Sequence, residues 1–368
     1  MTSAPHIHSA ADARRLAKRR LPWMVFDYID GAAGSEVGAD RARAALDAVT
    51  LQPKILRDVS VRDTSVSLFG KTTAMPFGIA PMGMCNLSGV GADLMLARLA
   101  AKHSVPHGVS TVASTPMEKI LEVSEGNAWF QLYFSGDGTG TFKLVERAKA
   151  CGYETLVVTV DVPEVGRRPR ELRHGFKMPF KIGPKQFVDF ALHPRWSLTS
   201  LFAGKPQMAN FLMDGYEFDR TESRAKATWD TLKQLRDMWP GNLVVKGVLD
   251  VEDAVRLKAE GVDAIQVSSH GARQLESAPA PIAVLPEIRA AVGDDFPLFF
   301  DSGLRSGEDV LKALNSGADF AFFGRSLQFA IAAAGEAGLA QLWDVFTDEL
   351  SIGMAQTGIT DVRQLYKA

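Results

Sequence analysis

Cysteine is nearly absent from this 368-residue chain. Cys85 and Cys151 are the only two, and no CxxC pair exists, so neither a zinc site nor a disulfide framework is suggested. Both read as small apolar residues of a reducing compartment. A dominant charge is also missing. Forty-one Lys and Arg against 43 Asp and Glu leave a net charge of -2, which argues against a general nucleic-acid binder. No apolar run is long enough to span a bilayer, and Met1 to Arg20 lacks the apolar core of a signal peptide. A cytoplasmic chain with no metal site is therefore expected.

What is present is a large reserve of core-forming residues: 46% of the chain is hydrophobic and 23% charged. From about Pro76 one unit recurs: a short apolar run, a polar loop, then an amphipathic helix. The runs are Phe77–Ala80, Pro106–Thr111, Ala128–Phe134, Thr155–Val160, Asn242–Val248, Ala264–Ser268, Pro297–Phe300 and Phe320–Phe323. Most are continuous rather than alternating, as parallel strands covered on both faces must be. Helical patterns at Gly91–His103, Gly140–Cys151, Ala225–Trp239, Val251–Glu260, Ile282–Val292 and Glu308–Ser316 fall between them, with a weaker one at Pro116–Glu122. Gly152, Gly261 and Gly317 each sit where a helix C-cap is needed before the next strand. Eight such units predict an α/β fold of the (β/α)8 TIM barrel type in a single domain. Residues 1–75 form an N-terminal helical cap with helices over Ala10–Arg20 and Ser35–Ala48. Residues 171–223 form a long insertion after strand four, and residues 336–368 a C-terminal helix and tail.

In such a barrel the C-terminal strand ends carry the chemistry. Here every end is polar or glycine-bearing: Pro81-Met82-Gly83, Ser110-Thr111, Gln131 with Tyr133, and Thr159-Val160-Asp161 followed by Arg167-Arg168. Then come Lys246, Ser268 leading to His270 and Arg273, Asp301-Ser302-Gly303-Leu304-Arg305, and Gly324-Arg325. The last two ends predict a phosphate site, because glycine permits close backbone approach and Arg305 and Arg325 add charge. His270 can take a proton near neutral pH, and Arg273 can hold a carboxylate by two parallel hydrogen bonds.

Other residues are less decided at this level. Lys246, inside Leu243–Val248, is a Schiff-base nucleophile, a stabiliser of negative charge on a cofactor, or a lysine neutralised by a buried aspartate. Asp161 is a helix cap or the partner that orients His270. Tyr28 reads by pattern as core helix. The insertion interleaves Phe176, Phe180, Phe187, Phe190, Trp196, Phe202 and Phe211 with Lys177, Lys181, Lys185, Arg195 and Lys205. That mixture suits a membrane headgroup boundary, and it also suits a lid or a subunit interface.

In combination, these motifs resemble the FMN-dependent L-2-hydroxy-acid oxidases and dehydrogenases, over about Leu21 to Gly358. The resemblance implies an FMN enzyme that converts a lactate- or mandelate-like L-2-hydroxy acid to the 2-oxo acid. His270 is then the base, supported by Asp161. Tyr28, Tyr133, Arg168 and Arg273 meet the substrate. The cofactor set comprises Pro81, Met82, Gly83, Ser110, Gln131, Thr159, Lys246 and Ser268, with Asp301, Ser302, Gly303, Arg305, Gly324 and Arg325 toward the phosphate. It further implies a homotetramer and electron transfer to a quinone or similar acceptor. By that resemblance the span 174–216 docks on the cytoplasmic face of a membrane. Two departures stand out: Ser269 replaces the usual Asn before the histidine, and Gly83 stands where many oxidases carry Ala. The rival readings are a soluble oxygen-using oxidase, a flavin-free aldolase or isomerase using Lys246, and a non-catalytic membrane-docked scaffold.

Overall fold

The computed structural model describes residues 6–136, 138–176, 182–204, 207–212 and 224–367. The chain opens with α1 (Ala10–Arg20), α2 (Trp23–Asp30) and α3 (Val37–Ala48), followed by a hairpin of β1 (Val66–Leu68) and β2 (Lys71–Thr73). Barrel strands β3 to β10 are Phe77–Met82, His107–Ser110, Ala128–Tyr133, Thr155–Thr159, Asn242–Val248, Ala264–Val267, Leu298–Asp301 and Phe320–Phe323. They pair in parallel and in chain order, and β10 closes on β3, which gives the (β/α)8 barrel. Each strand expected from an apolar run is present, and the bounds differ by only one or two residues.

The helices between strands are α4 (Ala92–His103), α5 (Met117–Val123) and α6 (Thr139–Cys151). After β6 come α7 (Pro169–Arg173), α8 (Pro184–Leu192), α9 (Pro194–Ala203) and α10 (Trp229–Met238). The set ends with α11 (Val251–Ala259), α12 (Pro281–Val292), α13 (Gly307–Asn315) and α14 (Arg325–Gln356). Local chemistry sets several starts: Ser9, Asp250 and Ser306 each accept a backbone N–H from inside the first turn of α1, α11 and α13. The expected break before the terminal helix is a kink at Ala334-Gly335 inside α14, not a separation.

The lower mouth of the barrel is closed by aromatic rings. Phe69, at the tip of the hairpin, packs 5.6 Å from Trp129 and 5.9 Å from Phe299, and Trp129 in turn lies 5.7 Å from Phe322. Phe299 is fully buried, a burial that stabilises the fold by about 1.5–3 kcal/mol. With that end plugged, the large cavity among the described residues lies at the opposite, C-terminal rim.

Candidate active site

A cavity of about 620 Å³ opens at that rim, a volume within the range of cofactor sites. Tyr28, Pro81, Met82, Gly83, Gln131, Tyr133, Thr159, Arg168, Lys246, His270 and Arg273 line it. Asp301, Ser302, Gly303, Arg305, Gly324 and Arg325 complete its wall on the other side. Three expected residues do not reach the wall. Ser110 donates to Gln131 Oε1 at 3.2 Å, Ser268 lies between Lys246 and Asp301, and Asp161 stands behind His270. They hold lining groups in place instead of facing the cavity.

His270 sits on a tight turn after β8 with φ +55°, and Ala272 follows with φ +59°. Left-handed backbone at non-glycine residues costs energy, so the turn must be held. Ser302 Oγ accepts from Ser269 N at 3.2 Å and from Gly271 N at 3.0 Å, and Ser268 Oγ accepts from His270 N at 3.0 Å. Ser269 caps the turn by accepting from Ala272 N at 3.3 Å, which answers what the serine does at this position. The imidazole Nδ1 lies 3.1 Å from Asp161 Oδ1, and Nε2 lies 3.3 Å from the Tyr133 hydroxyl. Burial pulls the His270 pKa below its ordinary value, and Asp161 opposes that shift. The orienting role of Asp161, rather than the helix-cap role, is the one the geometry supports.

Arg168 and Arg273 approach one carboxylate oxygen. Glu171 Oε1 accepts from Arg168 Nη1 at 2.9 Å and from Arg273 Nη2 at 3.0 Å. Arg273 also donates through Nη1 to the carbonyls of Tyr28 and Gly31, at 2.9 and 2.7 Å, so it fixes the end of α2. Tyr28 is thereby more than a core residue: its hydroxyl faces Gly83 O at 3.5 Å and its ring stacks on Phe176 at 4.4 Å. Arg170 clamps α7 to the cap through Asp27, Asp30 and Glu36. At Gly83 a methyl group would fall 2.5 Å from Val112 Cγ2, so the glycine keeps this part of the wall open.

Lys246 has a buried aspartate after all. Its Nζ lies 2.9 Å from Asp301 Oδ2 and donates to Ser268 Oγ at 2.7 Å. Burial pushes the Asp301 carboxyl up, but Lys246 and the hydroxyls of Ser268 and Ser302 outweigh it and hold the pKa below the usual range. Asp301 therefore belongs to the lysine, not to an anion. The anion end is carried by Arg305 and Arg325. Among the described residues neither has a carboxylate in ion-pair range; Arg305 donates to Leu304 O, and Arg325 to Asp30 O and Gly271 O. Burial and the neighbouring Arg305 and Arg273 draw Arg325 down to about 9, the mark of positive charge awaiting a partner. At Gly324 an added methyl would meet nothing nearer than Met82 Sδ at 3.8 Å, so a bare, flat wall faces the cavity. A pair of unmatched guanidinium groups at one end, a flat glycine and methionine wall, and Lys246 with Gln131 farther along fit a phosphorylated planar cofactor.

The sequence reading missed several lining residues. Phe176 and Met208 come from the insertion and Arg224 from just beyond it, while Val112, Val165 and Gln274 come from loops. None lies at a strand end. The aromatic pattern of the insertion is also only partly as expected. Phe176 stacks inside the site, Phe190 and Trp196 pack against the core, and Phe211 is buried; Phe187 and Phe202 are exposed. Lys177, Phe180, Lys181, Lys205 and 213–223 lie outside the described residues.

Residues 17–368 match the model of the FMN-dependent dehydrogenases. The chain belongs to that family. It is 37% identical over 368 residues to (S)-mandelate dehydrogenase of Pseudomonas putida, covering 98% of this chain and 93% of that protein. It is 38% identical over 369 residues to L-lactate dehydrogenase of Caulobacter vibrioides, covering 98% and 96%. A solved structure of the monotopic membrane protein (S)-mandelate dehydrogenase superposes with a TM-score of 0.92, at 36% identity and 98% coverage of both chains. The protein is thus an FMN-dependent oxidoreductase, and the flavin-free aldolase and scaffold readings fall away.

Proposed function

We propose that this enzyme oxidises an L-2-hydroxy acid to the 2-oxo acid, with FMN against the β3 wall and its phosphate on Arg305 and Arg325. The observation that carries this is the convergence of His270, Tyr133 and the Arg168–Arg273 pair on one cavity. FMN, when bound, supplies a two-electron acceptor. The two arginines take the substrate carboxylate, sharing their charge with Glu171. Tyr28 and Tyr133 position the substrate oxygens. His270 Nε2 removes one substrate proton, and Asp161 stabilises the imidazolium that results. Lys246 and Gln131 would help hold FMN, Lys246 supplying positive charge and Gln131 hydrogen-bonding capacity in the cavity wall. In this reading Asp161 and Ser268 are positioning residues and Ser110 steadies Gln131.

The acceptor is proposed to be a quinone or similar carrier, met at the cytoplasmic face of a membrane. Among the described residues no helix is long and apolar enough to cross one. The insertion instead exposes Ile182, Val188, Leu192, Leu198, Leu201 and Phe202, which suits shallow burial at a headgroup boundary. Homotetramer formation is part of the same proposal; Ile55, Leu56 and Val61 stand exposed on one loop that such an assembly would cover. The test is a steady-state screen of L-lactate, (S)-mandelate and glycolate with a dye, a quinone and oxygen as acceptors, scored by 2-oxo acid formed. Turnover with dye or quinone and little oxygen uptake supports the proposal. Rapid oxygen uptake selects the soluble oxidase, and no 2-oxo acid from any substrate rejects the reading.

A further inference from the structure

Most cations in the cavity have an acid assigned to them. Lys246 has Asp301, His270 has Asp161, and Arg168 with Arg273 share Glu171, which leaves one positive charge for one substrate carboxylate. Among the described residues Arg305 and Arg325 lack such a partner, and they match the phosphate. One more cation remains. Arg224 lines the same cavity, and its guanidinium stacks 4.8 Å from the centre of the Tyr133 ring. Its backbone N–H is tied to Pro163 O at 3.2 Å, so it is held to the loop that follows β6. Among the described residues its side chain has no ion pair and no hydrogen bond. Glu164 acts on it only at a distance, while burial and Arg168 both work against its charge. A guanidinium kept half-buried beside other arginines is costly unless an anion completes it.

We infer that Arg224 receives an acidic group on the substrate's side chain, so that the preferred substrates are L-2-hydroxy dicarboxylates rather than lactate or mandelate. This rests on the proposed 2-hydroxy-acid oxidation. One phenol ring separates Arg224 from His270, so the second carboxylate would sit beyond C2, against the Tyr133 side of the cavity. Val112, Val165 and Met208 supply the apolar walls between. A merely structural role, keeping the Tyr133 ring in place, differs in one respect: it treats all substrates alike.

The experiment compares kcat/KM for (S)-2-hydroxyglutarate and L-malate with that for L-lactate and (S)-mandelate, in the FMN-loaded enzyme and in Arg224→Met. The expected result is a preference of the unaltered enzyme for a dicarboxylate, reduced about 10- to 100-fold in Arg224→Met relative to L-lactate, as for loss of one charge-assisted bond. Arg224→Lys should keep part of the preference. If lactate or mandelate is preferred, or the ratio is unmoved by Arg224→Met, the inference is overturned while 2-hydroxy-acid oxidation stands. If no 2-hydroxy acid of either kind is oxidised, the underlying reading fails instead.

Discussion

His270 Nδ1 lies 3.1 Å from Asp161 Oδ1, while Nε2 of the same ring faces the Tyr133 hydroxyl at 3.3 Å. One nitrogen is thus committed to a carboxylate and the other is turned to the cavity. Among the described residues Asp161 Oδ2 is buried without a hydrogen-bond partner, so its charge is directed mainly at the ring. Burial lowers the His270 pKa and Asp161 raises it. The neutral imidazole is the working base, so kcat/KM should fall as pH drops through a value below the ordinary 6.5. Asp161→Asn removes the raising influence. Its acidic limb should move to lower pH, and kcat should fall about 10²–10⁴-fold. A pH–rate profile checks both; an unmoved limb would remove Asp161 from this role.

Lys246→Met should leave Asp301 buried without its counter-charge and destabilise the protein by about 3–5 kcal/mol. The sign with pH is definite. A carboxyl held below its ordinary value, near 3.9, contributes stability at higher pH and loses it as pH falls. Without Lys246 that contribution is lost at neutral pH, and the deficit of the variant should shrink as pH falls and Asp301 takes up a proton. Thermal unfolding from pH 4 to 8 measures it. Adding Asp301→Asn should restore much of the stability, but not the rate of flavin reduction.

Arg273→Lys should lower kcat/KM by about 10²-fold or more, since lysine cannot keep the Glu171 contact and both carbonyls of α2. FMN content should be unchanged, because the phosphate end rests on Arg305 and Arg325. Loss of flavin with substrate affinity intact would place Arg273 on the wrong ligand.

Leu201→Glu with Phe202→Glu should release the enzyme from anionic vesicles. These side chains are 75% and 86% exposed, so neither change disturbs the core. Co-sedimentation at low and high salt reads the outcome. Unaltered enzyme that stays in the supernatant at low salt would end the docking proposal.

The barrel was legible because β6 and β9 carry unbroken runs such as Leu156-Val157-Val158 and Leu298-Phe299-Phe300, a pattern with few other uses. The strand-end rule then found His270, Arg273, Lys246 and Arg325. It overreached at Ser110 and Ser268, because sequence position does not say which way a side chain leaves a strand end. It could not find Glu171, Phe176 or Arg224, whose places depend on how the segment after β6 folds back. The cap on α2 was equally hidden: Asp189 of α8 accepts from Trp23 N at 2.9 Å and Met24 N at 3.3 Å, across a long stretch of chain. The β1–β2 hairpin, with three residues in each strand, was too short for any alternation to show.

The most direct test of His270 as base is anaerobic mixing of the FMN enzyme with its best L-2-hydroxy acid, followed by loss of flavin colour. The unaltered protein should bleach rapidly with the L- but not the D-enantiomer. His270→Asn should stay yellow and folded while bleaching about 10²–10⁴-fold more slowly. Bleaching by His270→Asn within a few-fold of the unaltered rate would contradict the assignment of the base.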